Sequence, residues 1–206
     1  ADHVTEAGFD PQAIPDALPQ LDPKNIRAFV EVHIEQGPVL VEADLPVGIV
    51  TSIRGNIRHR CATIIGQTTH AGGVPRRLRS DAVLSGAELL TVLEHNWAKA
   101  VSCGEDMVLT FGEFTTDVAQ HSITKVPGLV RFTLDVRSDS DEVLDAFEQT
   151  LNAAVSRISR ARNVQIDLGL KTKAPTEQMT EQICEGLEQA ARAIGAPSMH
   201  LPSGGV

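Results

Sequence analysis

Aromatic residues and positive charge are both scarce in this chain of 206 residues. It has six phenylalanines, one tryptophan and no tyrosine, and its 18 lysines and arginines stand against 27 aspartates and glutamates, for a net charge of −9. Surfaces that bind nucleic acid need positive charge for the phosphate backbone and, for single strands, aromatic rings on which bases stack. We therefore expect no nucleic-acid partner.

Cysteine and long hydrophobic runs are also scarce. Cys61, Cys103 and Cys184 lie far apart with no CxxC pair, which indicates reduced thiols in a cytoplasmic protein rather than a disulfide framework. No apolar run reaches the roughly 18 residues that a membrane span requires, and no signal-peptide pattern opens the chain. We expect no membrane partner and a cytoplasmic location.

The hydrophobic pattern predicts an α+β fold. Hydrophobic residues make up 42% and charged residues 22% of the chain, as is typical of a globular protein. Between residues 48 and 171 the elements follow the order β-β-α-β-β-α-β, a two-layer sandwich in which two helices cover one face of a mostly antiparallel sheet. The predicted strands cover residues 49–53, 57–65, 107–114, 129–137 and 164–170. Of the two helices, the first is capped by Ser80 or Asp81, and the second starts at Ser138 or Asp139.

The sequence also predicts several shorter structural features. Residues 54–56 contain Gly-Asn, which suits a tight hairpin turn between the first two strands. Apolar and polar residues alternate over 30–34, as in a strand, and 38–42 fits a brief helix. The prolines at 11, 15, 19 and 23 predict an irregular segment over residues 1–23. A last helix is predicted over 179–194, and residues 201–206 are predicted to form a loop.

Two histidines are candidates for chemistry. His33 lies at the end of the predicted strand beside a Gly-Pro break and could ligate a metal, or it could be a surface residue, since no HxxH, HExxH or CxxC supplies the other ligands. His70 lies in the small-residue stretch 66–73, where an imidazole could donate to a developing oxyanion, or where a flexible loop could simply expose it.

Other polar residues could bind a substrate. Arg137 ends the fourth predicted strand, and its guanidinium could hold a substrate carboxylate or form a salt bridge with Asp135, Asp139 or Asp141. His121, Ser122 and Thr124 could contact a ligand or satisfy the backbone of their loop. The arginines at 76, 77 and 79 form a basic patch that could attract a carboxylate or a neighbouring subunit, or be solvated.

In order along the chain, these segments resemble one known family. Residues 31–40 are similar to the HIEQGP signature of the allantoate amidohydrolase and N-carbamoyl-L-amino-acid hydrolase group, the hydantoinase/carbamoylase-type amidases. Residues 66–75 resemble its G-x-x-x-H-A-G-x-x-P loop and 79–82 the R-x-D-A that follows. Residues 126–137 resemble its VPG…FTLDxR segment, and 201–204 the start of its LPSGAGHDA stretch.

The resemblance implies a hydrolase of linear amide or ureido C–N bonds with two divalent metal ions per active site (Zn, Mn, Co or Ni). It implies that residues 1–47 end the first segment of an α/β metal-binding catalytic domain, that 48–171 form a lid domain through which the protein forms a homodimer, and that 172–206 resume the catalytic domain. On this resemblance His33 is a metal ligand and Gln36 lines the pocket. His70 reaches the active site of the partner subunit to polarise the scissile carbonyl, and Arg137 binds the carboxylate of a small-molecule substrate.

Two departures from the family pattern change these expectations. By that pattern, the remaining metal ligands and a glutamate base lie before Ala1, and a last histidine ligand lies after Val206. The chain is therefore expected to be a fragment that is inactive by itself. Either Thr124 stands where relatives have a substrate-binding asparagine, or His121 replaces that asparagine functionally. A hydroxyl lacks the paired donor and acceptor of an amide. The alternative is a stand-alone dimerising or ligand-sensing α+β module without catalysis.

Overall fold

The computed structural model describes residues 2–13 and 22–204, which fall into two compact units, Ala1–Gln36 and Gly37–Val206. The first unit contains helix α1 (Asp2–Glu6) and a 3-10 turn at Pro23–Asn25. Asp22 caps this turn by accepting a hydrogen bond from the backbone N–H of Lys24. Of the prolines predicted to make residues 1–23 irregular, Pro15 and Pro19 lie outside the described residues.

The strand predicted over residues 30–34 is wrong. The structure has neither helix nor strand at residues 26–35, and Val32 and Ile34 are 98% and 75% exposed. The side chains alternate as in a strand, but a strand persists only where its backbone N–H and C=O groups pair with a neighbouring strand. No strand of the described residues pairs with this segment.

The second unit contains the predicted succession of strands and helices. Between residues 48 and 171 the order β-β-α-β-β-α-β is confirmed, with short strands added at β3, β5 and β6 and the first residues of β9 at the end. The elements are α2 (Val39–Glu42), β1 (Val47–Ile53), β2 (Gly55–Ile65), β3 (Thr69–His70), α3 (Ala82–Ser102), β4 (Val108–Thr110), β5 (Phe114–Thr116), β6 (Lys125–Val126), β7 (Leu129–Ser138), α4 (Asp141–Arg162), β8 (Gln165–Asp167), β9 (Lys171–Ala174), β10 (Glu177–Gln178), α5 (Glu181–Ala193) and β11 (Ser198–Ser203).

Helices α3 and α4 cover one face of a six-stranded antiparallel sheet, as expected for an α+β sandwich. The strand order is β4-β7-β2-β8, with β5 also pairing with β7 and β9 with β2. Alternate residues of β7 are fully buried beneath the helices, while those between them face outward. The core between the layers includes Val130, Phe132, Leu134 and Val136 of β7, Leu89 and Leu93 of α3, and Leu144, Leu151 and Ile158 of α4.

The hairpin predicted at residues 54–56 is wrong. Strands β1 and β2 follow each other with only Arg54 between them, but they belong to different sheets. The N–H of Arg54 donates to the carbonyl of Ser203 in β11, and a Cβ on Gly55 would lie 2.7 Å from the carbonyl oxygen of Ala174. Glycine is needed here because the chain passes between sheets against another backbone, not because of a turn.

Strand β1 pairs with strands from the other end of the chain. It lies between β10 and β11, antiparallel to β10 and parallel to β11, and α5 packs beside it. Residues 201–203 are therefore the end of strand β11 rather than part of the predicted loop, while 205–206 lie outside the described residues. The predicted domain bounds, 1–47, 48–171 and 172–206, stay a prediction.

The helices begin at polar caps. Asp81, as predicted, accepts from the N–H of Leu84 at 3.0 Å to start α3. The cap of α4 is Ser140, which accepts from Val143 at 3.3 Å, rather than the predicted Ser138 or Asp139. In the described part of the chain, no helix combines the length and apolarity needed to cross a bilayer.

Candidate active site

Strands β3 and β6 bring two predicted site residues together. His70 is paired with Lys125, and the N–H of Ala71 donates to the carbonyl oxygen of Thr124 at 2.7 Å. The chain reaches this pairing through Gly66, where a Cβ would lie 2.0 Å from the carbonyl oxygen of Ser80. Only glycine allows the backbone to pass so close to the start of α3, which explains the glycine four residues before the histidine.

The hydrogen bond at His70 Nδ1 determines which ring nitrogen can donate. The side chain is exposed, and the backbone N–H of Gly73 donates to Nδ1 at 3.1 Å. A nitrogen that accepts a hydrogen bond carries no proton, so the neutral ring carries its proton on Nε2. Within the described residues Nε2 has no hydrogen-bond partner, and it is a free donor for a carbonyl oxygen or an oxyanion.

The loop before β6 holds the other two predicted contacts. His121 Nε2 lies 2.5 Å from Thr116 Oγ1, and Thr124 Oγ1 lies 3.0 Å from Ser122 Oγ. His121 therefore contacts the last residue of β5 and Thr124 contacts its own loop, in both cases through a side chain rather than through the loop backbone. The role of His121 and Thr124 in substrate binding stays a prediction. His121 and Lys125 also line an open cleft of about 510 Å³, so this loop adjoins a space that a small molecule could enter.

Arg137 forms a salt bridge in this structure. Its Nε and Nη2 donate to Asp135 Oδ2 at 3.1 and 2.7 Å, and its Nη1 donates to the carbonyl oxygen of Gly204 at 2.7 Å. The other oxygen of Asp135 accepts from Arg58 Nε at 3.3 Å. Among the partners that the sequence offered, Asp135 is the one used, and the role of Arg137 in carboxylate binding stays a prediction.

His70 lies beyond the first residue of β7, and Arg137 lies near the last residue of that strand. Strand β7 starts at Leu129, just after the β3–β6 pairing that carries His70, and Arg137 is its ninth residue. Eight residue steps at about 3.3 Å span roughly 26 Å. A small-molecule substrate therefore cannot contact His70 and Arg137 of the same chain at once.

His33 and Gln36 belong to the first unit. His33 is exposed, and its Nδ1 lies 2.6 Å from the carbonyl oxygen of Ile34, so Nδ1 carries the proton and Nε2 presents a lone pair. This is the tautomer that metal-binding histidines adopt when a carbonyl holds Nδ1–H. Gln36 has a left-handed backbone, with φ 57°, at the end of the unit.

The described residues do not by themselves fit a metal centre. Across residues 2–13 and 22–204, no three side chains of His, Cys, Asp or Glu converge at one point. A zinc site needs three or four such ligands, and His33 supplies one. Any metal chemistry would therefore depend on ligands beyond those described.

Comparisons with known proteins agree with the sequence motifs. The chain is 34% identical over 204 residues to the N-carbamoyl-L-amino acid amidohydrolase of Geobacillus stearothermophilus, a match that covers 99% of this chain and 48% of that protein. It is 33% identical over 169 residues to the allantoate amidohydrolase of Escherichia coli, with coverages of 82% and 39%. No protein-family model matches the chain.

A solved structure gives the same result. The crystal structure of an amidase of the hydantoinase/carbamoylase family from Burkholderia phymatum superposes with a TM-score of 0.73 at 31% identity, covering 90% of this chain and 45% of that one. The chain is homologous to a segment of the hydantoinase/carbamoylase-type amidases. It spans about half the length of the relatives it matches, and the resemblance inferred from its motifs is confirmed.

The contacts of Arg79 were not predicted from the sequence. Its Nε donates to the carbonyl oxygen of Val74 at 2.8 Å, and its Nη2 donates to that of Ala71, so it binds the loop after His70. Its neighbours Arg76 and Arg77 are exposed, and they line an open cleft of about 690 Å³ together with Arg79 and the loop 71–74. The signal was the position of Arg79 directly after the glycine-rich loop, where free carbonyls need donors.

Proposed function

We propose that this chain is part of an amidohydrolase that cleaves a linear amide or ureido C–N bond in an N-carbamoyl amino acid or an allantoate-like substrate. The names of the relatives support this class of reaction. The observation that carries the proposal is the hydrogen bond from Gly73 to His70 Nδ1, because it leaves Nε2–H as a free donor at an exposed position.

His70 has a defined task in such a reaction. Its Nε2–H donates to the carbonyl oxygen of the scissile bond, and this hydrogen bond strengthens as the oxygen gains negative charge when the nucleophile adds to the carbon. A donor of this kind contributes about 3–4 kcal/mol to the transition state. The effect of losing it falls mainly on kcat, since the interaction is strongest in the transition state.

Arg137 binds the substrate carboxylate in this proposal. Asp135 holds Nε and Nη2 of Arg137, while Nη1 faces the carbonyl of Gly204, a neutral acceptor. A substrate carboxylate makes a stronger, charge-assisted hydrogen bond than a carbonyl and so can replace it. The substrate is accordingly expected to be an acid.

The active site combines two copies of the chain. Because Arg137 lies roughly 26 Å along β7 from Leu129, the end of the strand near His70, the His70 that serves a given Arg137 has to come from a second copy. We place the homodimer contact in the unit that contains the six-stranded sheet. Twofold symmetry then builds two identical sites, each with one residue from either subunit.

We propose further that the intact enzyme requires divalent metal ions. His33 would be one ligand of these ions, which would lower the pKa of a coordinated water and so would supply the nucleophile. Since no three potential ligands among the described residues converge at one point, we propose that the ligands besides His33 lie outside them and that the isolated 206-residue chain does not turn over substrate. Adding Zn²⁺ or Mn²⁺ and an N-carbamoyl amino acid to the isolated chain tests this, and turnover would contradict it.

A hybrid enzyme tests the function itself. The chain replaces the matching segment of the Geobacillus stearothermophilus relative, of which it covers 48%, and hydrolysis of N-carbamoyl-L-amino acids is measured. His70→Ala is expected to lower kcat about 100-fold to 1,000-fold. His95→Ala, which removes an exposed histidine of α3, is the matched control and should leave kcat unchanged. Equal rates for both variants would refute the role of His70.

A further inference from the structure

The loop after His70 is held at both ends by one side chain. Arg79 donates from Nε to the carbonyl oxygen of Val74 at 2.8 Å and from Nη2 to the carbonyl oxygen of Ala71. These two carbonyls flank Gly72 and Gly73 on either side. The half-buried guanidinium of Arg79 thus connects the first and last residues of the four-residue stretch 71–74.

Within this stretch the Gly73 N–H is shared, because it also donates to the carbonyl oxygen of His70 at 3.3 Å in a turn. The nearest atoms that a Cβ on Gly72 or Gly73 would meet belong to the His70 side chain, at 3.5 Å or more, so no neighbouring helix or strand packs closely against the two glycines. Glycine also has the largest choice of backbone conformations. The direction of the Gly73 N–H therefore depends on this turn and on the two ends of the stretch, where Arg79 holds both carbonyls.

We propose that Arg79 is a positioning residue for His70. It holds the stretch 71–74 so that the Gly73 N–H meets Nδ1 at 3.1 Å, and this contact orients the ring with Nε2–H outward. The catalytic consequence rests on the function proposed above, while the structural link between Arg79, Gly73 and His70 does not. Arg79 touches neither substrate nor reacting atoms and acts only through the histidine.

Lysine cannot replace arginine in this role. The planar guanidinium presents Nε and Nη2 in a fixed geometry that reaches two carbonyls, whereas an ammonium group on a flexible stem is a single point of contact. Arg77, two residues earlier, is exposed, and within the described residues it has no hydrogen bond or ion pair. Arg77→Gln therefore removes the same charge from the same region and is the matched control.

Amide hydrogen exchange in the ¹⁵N-labelled chain, without substrate, tests the structural link. Arg79→Gln and Arg79→Lys should each raise the exchange rate of the Gly73 N–H about tenfold, the scale of one lost hydrogen bond, and should shift the ¹⁵N resonances of the His70 ring. The Ala82 N–H, which donates to the Pro127 carbonyl at 3.1 Å, is the internal reference and should keep its rate. Arg77→Gln should change neither amide.

Two outcomes overturn the proposal. If Gly73 keeps its exchange rate in folded Arg79 variants, Arg79 does not position the loop. If Gly73 and Ala82 lose protection together in both variants, Arg79 supports the whole fold rather than His70. Because no substrate is present, either failure leaves the proposed function standing, and an inactive hybrid enzyme would leave the exchange result standing.

Kinetics of the hybrid enzyme separate positioning from general support. Arg79→Lys should lower kcat about tenfold with KM unchanged, because the lost orientation weakens a contact to the transition state. In the His70→Ala background the same substitution should have no further effect on kcat, since two residues that act through one group are not additive. A further tenfold loss in that background would show that Arg79 does not act through His70.

Discussion

The guanidinium of Arg137 and the carboxylate of Asp135 share one edge-on contact, in which Nε and Nη2 both donate to Oδ2 at 3.1 and 2.7 Å. The two residues are two positions apart on β7 and so project from the same outer face of the sheet. Arg58 donates to the second oxygen of Asp135, so the carboxylate is held from both sides. Asp135 therefore sets the direction in which Arg137 presents Nη1.

Replacing Asp135 with asparagine should weaken substrate binding. The amide oxygen is a neutral acceptor, and hydrogen bonds to charged groups contribute about 1.5–3 kcal/mol, so we expect KM of the hybrid enzyme to rise about tenfold with little change in kcat. Asp145→Asn, which removes a carboxylate paired with Lys173 on the helix side, is the control. An unchanged KM in Asp135→Asn would show that Arg137 does not depend on this contact.

Gly55→Ala should destabilise the fold. The new Cβ would lie 2.7 Å from the Ala174 carbonyl oxygen, a backbone atom that cannot rotate away, and overpacking of this kind costs about 1–3 kcal/mol. Urea unfolding measures the change in midpoint. Gly186→Ala is the control, because a Cβ there meets no atom within 4 Å and alanine favours helix α5, so its midpoint should stay or rise.

Leu151→Ala should remove a large part of the stability of the sandwich. Leu151 lies on α4 and is 0% exposed in the core between helices and sheet, where such a truncation costs about 2–5 kcal/mol. Leu84→Ala on α3 is the comparison. This leucine is 49% exposed, so its truncation should lower the free energy of unfolding by less than about 1 kcal/mol. Similar losses in both variants would contradict the position of the core.

His59 should make the stability of the chain depend on pH. Burial lowers the pKa of His59, an effect partly offset by its hydrogen bond to the Leu168 carbonyl at 3.1 Å. Because the pKa is lower in the folded state, the unfolded chain binds more protons as the pH falls below the unfolded value. The contribution of His59 to the free energy of unfolding is therefore complete above the unfolded pKa, about 6.5. It is lost as the pH falls from there toward the pKa of the folded state.

The free energy of unfolding from about pH 8 to about pH 5.5 measures this dependence. The decrease toward acid pH should be smaller in His59→Gln than in the parent chain. In His95→Gln, which changes an exposed histidine of α3, the decrease should match that of the parent. If His59→Gln follows the parent curve, then His59 does not account for the loss.

Short-range periodicity in the sequence predicts the individual helices and strands. The hydrophobic pattern predicts a strand over 129–137, where β7 is Leu129–Ser138, and a helix that starts near Ser138 or Asp139, where α4 starts at Asp141. The pattern could not say which strand pairs with which, so the Gly-Asn at residues 55 and 56 predicted a hairpin where the chain changes sheets. Likewise, the alternation at 30–34 describes a strand only if a partner lies beside it.

In the candidate site too, the sequence predicts individual residues but not the contacts between distant parts of the chain. The motifs identified His70 and Arg137, and the pairing of β3 with β6, two residues each, could not be predicted because so short a strand has no period. Arg79 was predicted as part of a basic patch, because its position after the glycine-rich loop does not show which carbonyls its donors meet, here those of residues 71 and 74. Contacts from side chains to distant backbone are set by the tertiary fold.

The most direct test of an active site shared between two copies is complementation between two inactive hybrid enzymes. One carries His70→Ala and the other Arg137→Ala. If each active site combines His70 of one copy with Arg137 of another, mixed dimers contain one intact site, and random reassociation should restore about a quarter of the parental activity. If the mixture is no more active than the two variants measured separately, His70 and Arg137 do not meet across two copies and the account is wrong.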